Sequence, residues 1–175
     1  MPHVYQVLGM ILFFSCATFA QQPRYSWSEK KDFSWADLSG FPDEQSLYAA
    51  SVNTGISQDF SISFKGGAKL SSLQITAYIY PKLSWYKPGR VNAALLEHER
   101  LHFMITEVHA RMLKETISKF DFSEDIRSEM NHLYRKIEQK RQKMQQDFDA
   151  ETRHGLNNQR ELFWEEKVNQ LLAKY

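Results

Sequence analysis

Apolar and polar positions follow two different periods in this chain, and the longer one rules its second half. From about residue 91 to 120, apolar or small side chains recur at Val91, Ala94, Leu95, Ile105, Met112 and Ile117, the spacing of a helix with a buried stripe. A second helix is expected next, with Ser123 as N-cap ahead of the acidic Glu124-Asp125. Its apolar positions Ile126, Met130, Leu133, Ile137, Met144 and Phe148 step by threes, fours and a seven, and the pattern stops near Phe148. A last helix is expected from about Asn158 to Ala173, packing through Leu162, Phe163, Val168 and Leu172. The basic run Arg135 to Lys143 falls on the outer face of the second helix and reads as a solvated surface.

The first half is ruled by alternation. Phe60-Ser61-Ile62-Ser63-Phe64 reads as a strand, Gly66-Gly67 as a turn, and residues 73–80 as a second strand closed by Pro81. In residues 24–60, the aromatic residues Trp27, Phe33, Trp35 and Phe41 are too irregularly spaced for a helix, and Gly40-Phe41-Pro42-Asp43 marks a turn. The expected fold class is therefore α+β: a small β-sheet (strands near 60–64 and 73–80) packed on a long helix (about 91–120), with two further helices behind it. The second strand comes just before the long helix, where its edge could hold an extended peptide.

Residues 1–20 read as a signal peptide. Val7 to Ala20 is apolar and uncharged, and Thr18-Phe19-Ala20 offers small residues where a signal peptidase cuts. This points to a secreted or periplasmic protein whose single domain occupies 21–175. The apolar run is short for a membrane span, so no transmembrane segment is expected after cleavage; the alternatives are an uncleaved anchor or a lipid anchor on Cys16. Cys16 is the only cysteine, which excludes a disulfide framework and a cysteine zinc site. A net charge of +1 gives no electrostatic case for a nucleic-acid partner. No pattern fixes the oligomeric state.

Chemistry enters with Leu95-Leu96-Glu97-His98-Glu99-Arg100-Leu101-His102, which holds H-E-x-x-H inside the predicted long helix. Residues four apart share a helix face, so His98 and His102 can offer two imidazoles to one metal ion, usually Zn²⁺. Glu99 is rotated aside, where it can act on a water as general base rather than as a ligand. His109 lies seven residues beyond His102, about 10 Å along the axis, too far to share an ion whose Zn–N bonds are about 2 Å. It reads as a supporting or packing residue, and the third ligand must come from elsewhere. The other informative stretch is Asp147 to Gly155, where Asp149, Glu151 and His154 are candidate ligands or supporting acids. Gly155 permits a sharp turn that could present His154, and a surface histidine at a helix boundary is the equal alternative.

These segments resemble a family of bacterial proteins catalogued as domain of unknown function 922 and described as predicted secreted zinc-dependent proteases. The resemblance rests on Phe33 to Asp43, Ala49-Ala50, Leu95 to Phe103, Asp149 to Gly155, Gln159 and Trp164. The family commonly has Tyr where Phe148 precedes Asp149. The resemblance implies a zincin-like domain with one zinc held by His98, His102 and His154, with Glu151 or Asp149 as substitutes. A carboxylate third ligand would bring the site nearer the gluzincin or aspzincin arrangement. The activity implied is a zinc metallopeptidase acting on a peptide or protein substrate, with Glu99 as base and Arg153 or Tyr86 available to an oxyanion. Its rivals are another zinc-dependent amide or ester hydrolase, and a non-catalytic zinc-binding interaction protein of the envelope.

Overall fold

The computed structural model describes residues 23–175, so the expected signal peptide and Cys16 lie outside it. The chain runs β1 (Tyr25–Ser26), α1 (Trp27–Lys30), β2 (Ala50–Ser51), β3 (Thr54–Ser63), β4 (Lys69–Ile79), β5 (Trp85–Tyr86), α2 (Ala93–Ser118), α3 (Ile126–Thr152) and α4 (Asn158–Lys174). Short 3₁₀ turns at Trp35–Asp37 and Pro81–Leu83 punctuate the connections. The α+β class holds: a small antiparallel sheet and three long helices. No helix among the described residues is long and apolar enough to cross a membrane.

The expected hairpin is present but longer. β3 starts at Thr54: residues 54–59 pair in unbroken register with 79–74 of β4, so the ladder runs on through the polar Ser57, Gln58 and Asp59, which alternate between the two faces. Gly66 and Gly67, at φ 76° and 106°, make the turn that other residues resist. A register shift between Ser61 and Ile62 absorbs one extra residue of β4. β4 is not the free edge that its place in the sequence suggested. β1 pairs with it at Ile79 and Tyr78 and β3 covers its other side, so the sheet order is β1-β4-β3. A separate ladder pairs β2 with β5.

α2 is the central element, buried from two sides. Asn92 caps it by accepting the Leu95 N–H at 2.9 Å. One side packs Phe103, Ala110, Leu113 and Ile117 against Ile56, Ala77 and Ile79 of the sheet and Met130, Leu133 and Ile137 of α3. The other packs Leu101, Ile105 and Val108 against Phe148 of α3 and Trp164 and Val168 of α4. Each of these large side chains contributes about 1.5–3 kcal/mol by leaving water. The irregular aromatic leader serves the first core: Phe33 is wholly buried and Trp27 meets the Phe103 ring edge-on at 5.1 Å.

α3 departs from expectation at both ends. Its N-cap is Asp125 rather than Ser123, whose hydroxyl accepts the Asp125 N–H instead. It runs past Phe148 to Thr152, because no Gly or Pro interrupts Asp147 to Thr152, and the buried Thr152 hydroxyl bonds the Phe148 carbonyl at 2.7 Å. Asp149 and Glu151 therefore sit on a rigid helical turn. The helix stops where Arg153 and His154 take left-handed φ angles of 53° and 54°, followed by Gly155 at 84°.

Candidate metal centre

His98 and His102 stand one turn apart on α2, their rings 4.9 Å apart and nearly perpendicular. The last turn of α3 brings Asp149 between them. Its Oδ1 lies 3.2 Å from His98 Nε2 and 3.0 Å from His102 Nε2. These three donor atoms all fall within 4.8 Å of one another, a group able to hold a metal ion. The fit to zinc follows from geometry and donor type. Around a tetrahedral Zn²⁺ with bonds of about 2.0–2.1 Å, neighbouring donors stand about 3.3 Å apart. The two measured contacts approach that edge, and two imidazoles with one carboxylate are a set that zinc accepts.

Neighbouring groups fix the donors. Glu161 of α4 bonds His98 Nδ1 at 2.8 Å, which turns Nε2 toward Asp149. The buried Phe148 ring stacks on His98 at 4.5 Å and meets His102 edge-on at 5.0 Å. The Phe-for-Tyr departure thus falls where a hydroxyl would need a buried partner. Beneath His102, its backbone carbonyl accepts from the Thr106 hydroxyl at 3.1 Å and the Gln145 amide at 3.2 Å. Thr106 in turn meets the Thr54 hydroxyl at 2.7 Å, tying the sheet to the ligand turn. Gly155, with its positive φ, turns the backbone beside the His98 ring, where a Cβ on this residue would stand 3.5 Å from the ring Cγ.

The charges follow from this packing. Burial works against a charge on His98, but its bonds to Asp149 and Glu161 outweigh it and push the imidazole up to about 9. Burial would raise Asp149, yet both imidazoles hold its carboxyl well below the usual carboxylate range. Glu99 is 6 % exposed, and burial pushes it up against the opposing pull of His102 and His98. A carboxylate raised in this way is suited to taking a proton and returning it.

The donors form the floor of a cleft of about 860 Å³. One wall is the segment Leu47 to Val52, which includes β2. Ala49 accepts the Lys87 N–H at 2.7 Å, and Ser51 pairs with Trp85, so these residues turn their polar backbone groups to β5. By alternation Ala50 and Val52 turn theirs the other way, and the Val52 N–H faces Glu99. Among the described residues no other strand covers this edge of β2, which lies on the cleft.

The remaining residues singled out from the sequence have separate places. His154 stands at the cleft mouth, about half exposed, with Nδ1 3.5 Å from the same Asp149 oxygen and Nε2 3.5 Å from the Tyr48 hydroxyl. It lies outside the group of three donors. Glu151 faces away, paired with Arg160 and accepting the Trp164 indole N–H at 2.9 Å. His109 is buried further along α2, with Nδ1–H donating to the Ile105 carbonyl at 2.8 Å. Arg153 lines the cleft; Tyr86 instead packs on Trp35 at 5.4 Å. Glu161 and Tyr48 escaped the sequence reading. An acid in the first turn of a helix looks like an ordinary dipole partner, so Glu161 carried no separate signal.

Residues 39–155 match the family described as bacterial protein of unknown function (DUF922). The match takes in the β2 wall, His98 to His102 and Asp149 to Gly155, and ends before Glu161. No curated protein and no solved structure matches this sequence. Spanning most of the described domain and all three candidate donors, this match shows that the protein belongs to the bacterial DUF922 family.

Proposed function

We propose that this protein is a zincin-like, zinc-dependent peptidase, exported by its first twenty residues, that works on extended peptides in the cleft above His98, His102 and Asp149. The observation that carries the reading is the position of Glu99. It is buried beside the two imidazoles, on the floor of a cleft whose wall is an open strand edge. Bound zinc would supply a Lewis acid and lower the pKa of a water toward about 7. The protein's own groups supply the rest. Glu99 accepts a proton from the attacking water and passes it to the leaving amine. Glu161, accepting from His98 Nδ1–H, keeps that imidazole in the tautomer that presents Nε2. The edge of β2 offers main-chain partners to a substrate backbone, which favours a peptide over a small ester.

A second reading has one observation in its favour. His154 Nδ1 is 3.5 Å from the Asp149 oxygen, so a small movement of the loop would add a fourth protein donor and close the site to water. That version is a structural zinc in a non-catalytic envelope protein.

The deciding experiment loads wild type and Glu99→Gln with zinc and screens both against a peptide library by mass spectrometry. The peptidase reading expects equal zinc in both and turnover at least about 10²-fold lower in the variant. Equal turnover in both proteins would remove Glu99 from the mechanism. Zinc bound tightly with no cleavage by either would favour the closed site.

A further inference from the structure

The walls of the cleft carry charge of one sign. Its two carboxylates, Glu99 and Asp149, are both on the floor and face imidazoles. A divalent ion held by the three donors would balance them, and the groups left to set the field toward a substrate would be Arg90 and Arg153. These two differ from the rest of their kind. Arg100, Arg111, Arg141 and Arg160 are each tied to a carboxylate. Arg24 and Arg127 lie over the rings of Tyr78 and Phe60. Among the described residues only Arg135, exposed on α3 far along the helix from the site, shares with Arg90 and Arg153 the lack of such a partner. Arg153 leaves α3 on a left-handed backbone, at φ 53°, directly before His154.

The rim adds a second preference. Leu47 and Leu156 line the same cleft, yet they are 91 % and 83 % exposed. Two large aliphatic side chains kept in water at one mouth are available to cover an apolar side chain of a ligand.

We propose that the cleft selects peptides in which a carboxylate stands next to a large apolar residue, the carboxylate coming from an Asp or Glu residue or from the free C-terminus of the peptide. Arg90 and Arg153 hold the carboxylate, and Leu47 and Leu156 the apolar group. This rests on the peptidase reading for cleavage, but not for binding.

The test uses fluorescein-labelled octapeptides that differ only in the residue after a central Leu: Asp, Asn or Lys. A further pair ends in Leu with a free or an amidated C-terminus. Fluorescence anisotropy on zinc-loaded Glu99→Gln measures binding without turnover, and wild type is then assayed for cleavage of the same peptides. The Asp peptide is expected to bind at least about tenfold more tightly than the Asn peptide at about 50 mM salt, with the gap closing at about 500 mM. The double variant Arg90→Ser/Arg153→Asn should lose the gap, Asn being tolerant of the left-handed backbone. Arg135→Ser should keep it. Arg90→Ser alone, at a position outside every helix and strand, should narrow the gap if the double variant fails to fold. A free-over-amidated preference in the last pair identifies the C-terminus as the source.

Equal binding of the Asp, Asn and Lys peptides together with equal binding of the free and amidated pair, or a gap that survives in the double variant, overturns the proposal. Cleavage of all peptides without preference overturns it while the peptidase reading stands. Selective binding without cleavage supports it and sinks the peptidase reading. Neither binding nor cleavage overturns both.

Discussion

Raising the pH on the metal-free protein should weaken the fold, and His98 sets the size of the loss. In the folded protein its imidazole is pushed up to about 9 from an ordinary 6.5, since the bonds to Asp149 and Glu161 overcome the cost of burial. A group raised on folding stabilises fully below its unfolded value and loses that contribution as pH climbs through its folded value. The window therefore runs from pH 6.5 to about 9. At about 1.4 kcal/mol per unit, the loss across it is about 3 kcal/mol. For a domain of this size that corresponds to a fall in Tm of about 6–12 °C. Asp149 has the opposite sign. Held below its ordinary 3.8, it contributes above that value and gives way only in acid, so it adds no slope in the alkaline window. The assay is thermal melting by circular dichroism after chelator treatment, from about pH 6 to about pH 9.5, spanning that window on both sides. Asp149→Asn should flatten the curve by removing the main partner of His98. With zinc bound the trend should reverse at its lower end, because the metal takes neutral imidazole and binds better as protons leave. A metal-free Tm that is flat or rising between pH 6.5 and about 9 would refute the reasoning.

Two further outcomes concern α4. Glu161→Gln keeps the shape of the contact at His98 Nδ1 but removes its charge, and should weaken zinc binding about 10–100-fold in competition with a chromophoric chelator. Unchanged affinity would make the contact incidental. Trp164→Ala deletes a side chain only 1 % exposed that rests on Phe148 at 5.6 Å. It should cost about 3–5 kcal/mol in urea unfolding and loosen zinc as well, whereas a loss below about 1 kcal/mol would mean that α4 is not docked as described.

Much of the frame was legible because strong periodicity marks it. The stripe from Val91 to Ile117, the Gly66-Gly67 turn and the last helix from Asn158 each correspond to an observed element, within two residues at the helix ends. The misses have physical causes. β2 and β5, two residues each, are too short to show a period, so the strand edge on the cleft was assigned to β4 instead. The end of α3 was set too early because the apolar pattern stops at Phe148, while the buried Thr152 and the absence of a breaker carry the helix on. That one turn matters. It places Asp149 on a rigid helix face between the two histidines and leaves His154 beyond the helix end. The spacing of His98, Glu99 and His102 was readable from local sequence; the partner of His98 on another helix was not, since nothing in a first-turn glutamate distinguishes a dipole partner from a ligand support.

The cleft, its base and its supporting acids all depend on one donor set, His98, His102 and Asp149. It is tested most directly by zinc content per protein molecule in wild type, Asp149→Ala and His154→Ala, purified and dialysed side by side. The expected outcome is one zinc in wild type, a large loss in Asp149→Ala and retention in His154→Ala. Zinc lost only with His154, or a wild type that takes up none, would contradict that donor set.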